Sequence, residues 1–325
     1  MTAQHNDSSN SNSTTIAMPT TPAELIERFR RAGGPAVTTT QTDFDQTGLD
    51  FVVVHAVDEA GQRWIIRAPR RRDVVDGMDN EARVLRLVAR HLPFAVPGWR
   101  VCSTAVDDAV VGYVRLPGTP VLALNDGVPS FSFALDAPPV GFVNDMARVL
   151  VAMRAVGVDE ARAGGVVVVD DAGRSELRRQ LEQTREALGA SAKLQAHWQS
   201  IVHDDDHWAM PLALSHGDLH PGHWLVNDAQ RLLGVLDWTE AKFTHPATDL
   251  AMIYGCCGEA ALTALLDRLG THGVSTSTTT TLSAAAKARW SLSAVQGAAW
   301  ALRTGNEAIL AMVQSQLPAH DAALG

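Results

Sequence analysis

The chain has 325 residues, 46% hydrophobic and 19% charged, with 27 basic against 36 acidic side chains for a net charge of −9. That length exceeds what one hydrophobic core usually serves, so two lobes of a globular protein are expected; the acidic balance argues against a nucleic-acid partner and, in a cleft, favours a cationic acceptor such as an amino sugar. Cys102, Cys256 and Cys257 have no C-x-x-C spacing and no apolar run approaches the roughly 18 residues of a membrane span, so a reducing cytoplasm is expected, with no disulfide framework, cysteine zinc site or membrane partner.

Residues 1–20 are rich in Ser, Asn and Thr and read as a disordered tail, without the basic region and apolar core of a signal peptide. Thr21-Pro22-Ala-Glu24 supplies a cap, a proline for the first helical position and a glutamate three residues past the cap. The helix it starts should run through Leu25 and Phe29 and stop at Gly33-Gly34-Pro35. Phe51–Val57 and Arg63–Arg67 read as antiparallel strands joined by the loop 58–62. Asp79–Val88 reads as a helix and 91–97 as a linker, and Trp99–Val106 and Ala109–Leu116 read as two further strands. The rigid run Pro117-Gly118-Thr-Pro120 suits a hinge. The expected division is therefore a tail at 1–20, a small lobe at 21–117 and a large lobe at 118–325.

Gly141–Val156 shows helical spacing. Val166–Val169 is either a short strand or an apolar loop, Ser175–Trp198 reads as one charged amphipathic helix, and Asp204-Asp205-Asp206 as a solvated turn. Further on, Ala260–Leu269 reads as helical and 271–281 as a mobile Ser/Thr-rich loop. Ser283–Thr304 reads as one long helix with Trp290, Ala294, Gly297, Ala298 and Ala301 on one side. Those small residues either leave room for a bulky ligand or pack closely on neighbouring helices.

The chemistry concentrates between Leu212 and Asp249, where His216, Asp218, His220, His223, Asp237 and Asp249 all fall. Leu212–Leu214 reads as a strand that ends in the His216-Gly217-Asp218 turn, with Gly217 permitting the bend. Trp224–Val226 and Arg231–Leu236 flank the turn Asn227–Gln230 as a hairpin. Folding back near Ala229 brings His223 close to Asp237, and paired strands roughly 5 Å apart let both reach one metal ion or one phosphate. Asp218 lies on the loop just before the hairpin. One carboxylate to orient and deprotonate an alcohol, and a second with a neutral nitrogen ligand to hold a divalent ion on nucleotide phosphates, suit phosphoryl transfer. His220 either joins this set or simply packs the loop and bonds its backbone. Pro246 and Asp249 suit the start of a helix. Glu240 either meets a cationic substrate or is a surface charge.

The run His216-Gly-Asp-Leu-His-Pro-Gly-His223, followed by an apolar stretch and Leu236-Asp237-Trp238, resembles the antibiotic-kinase branch of the protein-kinase-like superfamily. His223 stands where that branch usually has Asn. Together with Asp237–Ala241 and the W-x-x-R-x-P-R run from Trp64 to Arg70, it makes the chain similar to the macrolide 2′-phosphotransferases. The resemblance spans roughly 22–315. It implies an α+β, bilobal protein-kinase-like fold, with a small antiparallel sheet in the N-terminal lobe and a larger, mainly helical C-terminal lobe. It also implies transfer of the γ-phosphate of GTP, or of ATP, to the 2′-hydroxyl of a macrolide amino sugar, by a monomeric enzyme that confers macrolide resistance.

By the same resemblance Asp218 is the catalytic base, His223 and Asp237 bind Mg²⁺, and His216 and Asp249 brace the loop. Arg67, held by Glu81, meets the phosphates; the loop 43–50, with its single Gly48, covers them; Tyr113, Val114, Arg115 and Leu116 meet the base. The residues alone leave guanine and adenine open. They also leave Arg67 open to a place in a solvated basic turn with Arg70, Arg71 and Arg72. A macrolide site should be wide and apolar, with Met252, Tyr254, Trp290 and Trp300 as candidates beside Glu240. Three alternatives remain: a kinase of an aminoglycoside or choline-like amine, a catalytically silent nucleotide-binding protein, and a metallophosphoesterase suggested by Gly217-Asp218-x-His220.

Overall fold

A computed structural model describes residues 16–39, 44–125 and 128–324. The chain forms two compact units, residues 1–79 with 98–115 and residues 80–97 with 116–325. Residues 80–97, expected in the small lobe, therefore belong to the second unit.

The first unit opens on α1 (Pro22–Arg31), where the Thr21 side chain accepts from the Glu24 N–H at 3.2 Å. Glu24 turns back to the Thr20 N–H at 2.7 Å. Residues 1–15 of the expected tail lie outside the described residues. Residues 16–20 are not loose chain: Ile16 is buried and Arg28 donates to the Ala17 carbonyl at 2.7 Å. The sheet comprises β1 (Val37–Thr38), β2 (Phe44–Asp45), β3 (Phe51–Asp58), β4 (Arg63–Pro69), β5 (Trp99–Ser103) and β6 (Val110–Val114). Its order is β1-β3-β4-β6-β5, with β2 on β3, all antiparallel. Strand alternation sends Val52, Val54, Ala56, Trp64 and Ile66 to one face, where they bury Leu25 and Phe29 of α1. The other face carries Ile65, Trp99, Val111 and Tyr113, with Val75 and Met78 from the start of α2 (Arg72–His91). α2 starts seven residues before the expected Asp79. Arg71, just ahead of it, pairs with Asp50 at 2.7 Å and Asp73 at 3.1 Å.

In the second unit β7 (Thr119–Pro120) pairs with β11 (Trp224–Val226), so the second half of the expected hinge is a fixed strand. A hairpin not expected from the sequence, β8 (Leu122–Asn125) and β9 (Val128–Phe131), follows it. Then come α3 (Val140–Ala155), α4 (Val158–Ala163), α5 (Arg174–Leu188), α6 (Ala192–His203) and α7 (Asp205–Trp208). The helix expected over 175–198 is thus two, because Gly189 turns left-handed at φ 61. Asp204 caps α7. Val166–Val169 forms only a single bridge, Val168 to Phe243. β10 (Ala213–Ser215) pairs with β13 (Lys242–Thr244), a strand the sequence did not suggest, and β11 pairs with β12 (Leu232–Val235).

The remainder is α8 (Thr248–Thr271), α9 (Thr276–Ser291), α10 (Ser293–Thr304) and α11 (Glu307–Ala322). By length and composition α8 could cross a membrane, with a mean hydropathy of 1.3, contrary to the expectation that no run is long and apolar enough. It is kinked at Gly258 and buries Leu250, Ile253, Leu262 and Leu265 inside the unit, as a core helix does. Of the expected loop at 271–281 only 272–275 connect helices; 276–281 are the start of α9, which Ser275 caps, and the Thr279, Thr280 and Thr281 hydroxyls bond carbonyls one turn back. The long helix expected over 283–304 breaks at Leu292. Ala294 and Ala298 pack in a core with Leu177, Trp198 and Val313, so the small residues of α10 serve close packing.

Candidate active site

The loop after β10 is shaped by constraints only its own residues satisfy. Gly217 has φ +88, and a Cβ there would lie 2.7 Å from the Glu240 carbonyl oxygen, so the position accepts only glycine without strain. His216 is fully buried; its Nε2–H donates to the Leu236 carbonyl at 2.8 Å, and its Nδ1 accepts from the Asp218 N–H at 3.3 Å. Burial, reinforced by the neighbouring His223, pushes its pKa down to about 3, so the ring is neutral. Asp249 lies in the first turn of α8, yet its oxygens accept from the His216 and Gly217 N–H groups, each at 2.9 Å. Its carboxylate therefore ties down the loop and does not cap its own helix. Burial raises its pKa to about 6, against the pull of those two N–H groups.

The hairpin brings the remaining groups together. Trp224 faces Val235 and Leu225 faces Gly234, a bulge follows, and the Leu236 N–H donates to the His223 carbonyl at 2.9 Å. His223 Nδ1 lies 2.8 Å from the Asp218 carbonyl oxygen, which can only accept, so Nδ1 carries the proton. In the neutral ring Nε2 then offers a lone pair, 3.8 Å from Asp237 Oδ2. Asp218 Oδ2 is 3.8 Å from His223 Nδ1 and 3.8 Å from His220 Nε2. Ligating atoms of Asp218, His220 and His223 all lie within 4.8 Å of one another. His220, however, accepts the Gly222 N–H on Nδ1 at 3.0 Å, which leaves the proton of its neutral ring on Nε2. Burial and then His223 lower its pKa to about 4, and it behaves as the backbone-bonding residue of the two readings. An imidazole lone pair facing a carboxylate across 3.8 Å is a donor set that fits a divalent cation.

Asp237 itself sits at φ +56, a left-handed conformation that costs a non-glycine residue about 1–2 kcal/mol. The Thr239 hydroxyl holds it there, 2.8 Å from Asp237 Oδ1 and 3.0 Å from Glu81 Oε2. Glu81 is fully buried. Asn80 beside it donates to the Ala241 carbonyl at 3.1 Å and accepts from the Val167 N–H at 3.0 Å.

The other candidates are placed as follows. Arg67, in the first unit, is 6% exposed, with its guanidinium 4.2 Å from the centre of the Phe51 ring and near the rings of Trp99 and Tyr113. That burial overturns the solvated-turn alternative. Gly48 lies in an exposed loop that Arg70 and Arg71 bond through the Gln46, Phe51 and Leu49 carbonyls. Tyr113 is buried, Val114 half-buried and Arg115 exposed at the end of the first unit, and Leu116 begins the second. Glu240 is exposed, 3.5 Å from Lys242 Nζ. Met252 and Tyr254 lie in the first half of α8, and Trp290 of α9 packs where Gly255 of α8 has no side chain. Trp300 is half-buried on a different helix, α10.

Nothing local marks two residues that the fold adds. Thr239 is recognisable only once Glu81 is seen beside Asp237. Cys256, its Sγ 3.9 Å from Met252 Sδ, has its thiol pKa pushed up to about 11, first by burial and then by the Asp218 charge. The first half of α8 is therefore close enough to the Asp218 loop to feel its charge.

A family model described as the phosphotransferase enzyme family, APH, matches residues 44–281. An uncharacterized Bacillus subtilis (strain 168) protein, YcbJ, is 34% identical over 251 residues, covering 74% of this chain and 79% of its own. Among solved structures, a macrolide 2′-phosphotransferase type I superposes with a TM-score of 0.77 at 30% identity, covering 91% of this chain and 96% of the other. The apoenzyme of macrolide 2′-phosphotransferase MphH from Brachybacterium faecium gives 0.75 at 28% identity, covering 91% and 98%. The GDP complex of wild-type aminoglycoside 2′-phosphotransferase-IIIa gives 0.73 at 18% identity, covering 93% and 98%, a likeness of fold. With an antiparallel N-terminal sheet followed by a mainly helical region, and a family match over most of its length, the chain belongs to the APH phosphotransferase enzyme family.

Proposed function

We propose that this phosphotransferase moves the γ-phosphoryl group of a nucleoside triphosphate, GTP in preference to ATP, to the 2′-hydroxyl of a macrolide amino sugar. Macrolide resistance is the expected consequence. The observation that carries the reading is His223 Nε2 3.8 Å from Asp237 Oδ2, beside the Asp218 carboxylate. His223 and Asp237 would hold Mg²⁺; imidazole is an unusual ligand for so hard an ion, and the pair should also accept Mn²⁺. When bound, the ion neutralises charge on the nucleotide phosphates.

Asp218 orients the acceptor hydroxyl and takes its proton late, because the transition state is loose. His216 and Asp249 hold the backbone on which Asp218 is carried. Arg67 would meet the phosphates, the Gly48 loop would cover them, and Tyr113 to Leu116 would meet the base. The macrolide assignment is supported by two macrolide 2′-phosphotransferases at 30% and 28% identity. Met252, Tyr254 and Trp290, on or against the stretch of α8 that senses the Asp218 charge, supply apolar surface for a large lactone.

The test is transfer of label from γ-labelled GTP and ATP to a panel of macrolides, aminoglycosides and choline. Labelled macrolide is expected, with the higher kcat/KM for GTP. Label on aminoglycosides alone would contradict the acceptor assignment, and label on no member of the panel would contradict the activity.

A further inference from the structure

One end of the sheet in the first unit carries two arginines that no carboxylate among the described residues pairs. Thr38 pairs with Val57 and Val57 with Arg63. The pair beyond Trp64 and Val114 is Arg63 with Arg115, whose backbone N–H donates to the Arg63 carbonyl at 2.9 Å. Directly opposed residues share a sheet face, so the two guanidinium groups leave the same face from adjacent strands. His55, two residues before Val57, is on that face as well. Thr38, His55, Val57, Arg63, Trp64 and Arg115 line a pocket of about 310 Å³.

Like charges on opposed strand positions destabilise a sheet. Among the described residues no carboxylate lies within ion-pairing distance of Arg63 or Arg115. Asp58, at the end of the neighbouring strand, is committed elsewhere: it accepts from Trp64 Nε1 at 2.9 Å and from the Ala60 and Gln62 N–H groups. Nor is the pair a by-product of a basic chain, since the net charge is −9.

We infer that this pocket is a binding site for a small doubly charged oxyanion, inorganic phosphate or a phosphomonoester, clasped between Arg63 and Arg115. Guanidinium forks match the oxygens of such a group, and the anion removes the repulsion between the two strands. The site lies four residues along β4 from Arg67, about 13 Å at the rise of a strand, so it is distinct from the position assigned to the nucleotide phosphates; Arg115 belongs to the run assigned to the base, which would be met by its backbone, leaving the guanidinium to the anion. It does not depend on the proposed macrolide activity.

The experiment titrates inorganic phosphate into the full chain, with potassium chloride at matched ionic strength as control, and reads the thermal midpoint. A saturable rise is expected in the wild type, with affinity weaker by roughly tenfold or more in Arg63→Gln, the loss of one charge-assisted bond. In phosphate-free, low-salt buffer Arg63→Gln is expected to melt above the wild type, because the repulsion is gone; an arginine needed only for packing would shift the midpoint down. Arg63→Lys, which keeps the charge and loses the fork, should melt like the wild type without phosphate and bind it more weakly. Glycerol phosphate in a parallel titration decides the source: tighter binding than phosphate identifies a monoester, weaker binding the free ion. The inference is overturned by a response equal in the wild type and Arg63→Gln, by one that saturating GTP abolishes, or by no saturation at all.

Discussion

Gly217 and Asp249 together decide where Asp218 points. Alanine at Gly217 would place a Cβ 2.7 Å from the Glu240 carbonyl oxygen at φ +88, so the loop has to move. A cost of about 1–3 kcal/mol is expected, read as a lower midpoint in denaturant, together with a fall in turnover of at least about tenfold. Asp249→Asn keeps the shape but replaces one accepting oxygen by an amide, leaving the His216 or the Gly217 N–H without its 2.9 Å partner. A buried N–H left unpaired costs about 1–3 kcal/mol. Because Asp249 acts through the loop, kcat should fall more than the KM for nucleotide rises; an unchanged kcat would remove it from that role.

Helices and strands show what local sequence can and cannot tell. The 224–235 hairpin was readable because apolar runs flank Asn227–Gln230, and that placed His223 near Asp237 before any coordinates. The left-handed backbone of Asp237 was not readable, since it is held by Thr239 and by tertiary packing around Glu81. The break at Leu292 was not readable either, having no glycine or side-chain cap to mark it; the one at Gly189 carries local signals that the charged periodicity hid, a left-handed glycine and Ser191 capping α6 through the Leu194 N–H at 3.1 Å. The threonines of α9 read as a loop by composition, yet their hydroxyls are satisfied inside the helix. Ser275 caps that helix through the Thr278 N–H at 3.2 Å, so Ser275→Ala should lower stability by about 1 kcal/mol with little effect on turnover. Gly255→Ala would drive a methyl into the Trp290 ring; α8 and α9 should separate at a cost of about 1–3 kcal/mol in thermal or chemical unfolding. A neutral outcome would show that Trp290 can swing away and that the α8–α9 contact is loose.

For the molecule as a whole, acid should be the weak side. Burial lowers His207 to about 4, His216 to about 3, His220 to about 4 and His245 to about 3, from the ordinary 6.5. The unfolded chain takes up these protons below 6.5 and the folded chain does not, so their contribution is present above 6.5 and is lost as pH falls toward 4, at up to about 1.4 kcal/mol per unit for each. Asp249, raised from 3.8 to about 6, runs the other way: its contribution is present below 3.8 and is lost as pH rises through 6. Four groups outweigh one, and the unfolding free energy should drop steeply between pH 6.5 and 5; a flat profile there would contradict the buried neutral histidines. The central claim is that Asp218, His223 and Asp237 act together in phosphoryl transfer. It is tested most directly by rates of transfer from GTP to a macrolide for the wild type, Asp218→Asn, His223→Ala and Asp237→Asn across a Mg²⁺ titration. The expected result is a kcat lower by about 10²-fold or more in Asp218→Asn and a higher half-saturating Mg²⁺ concentration in the other two; undiminished turnover in an Asp218→Asn, Asp237→Asn double variant would contradict it.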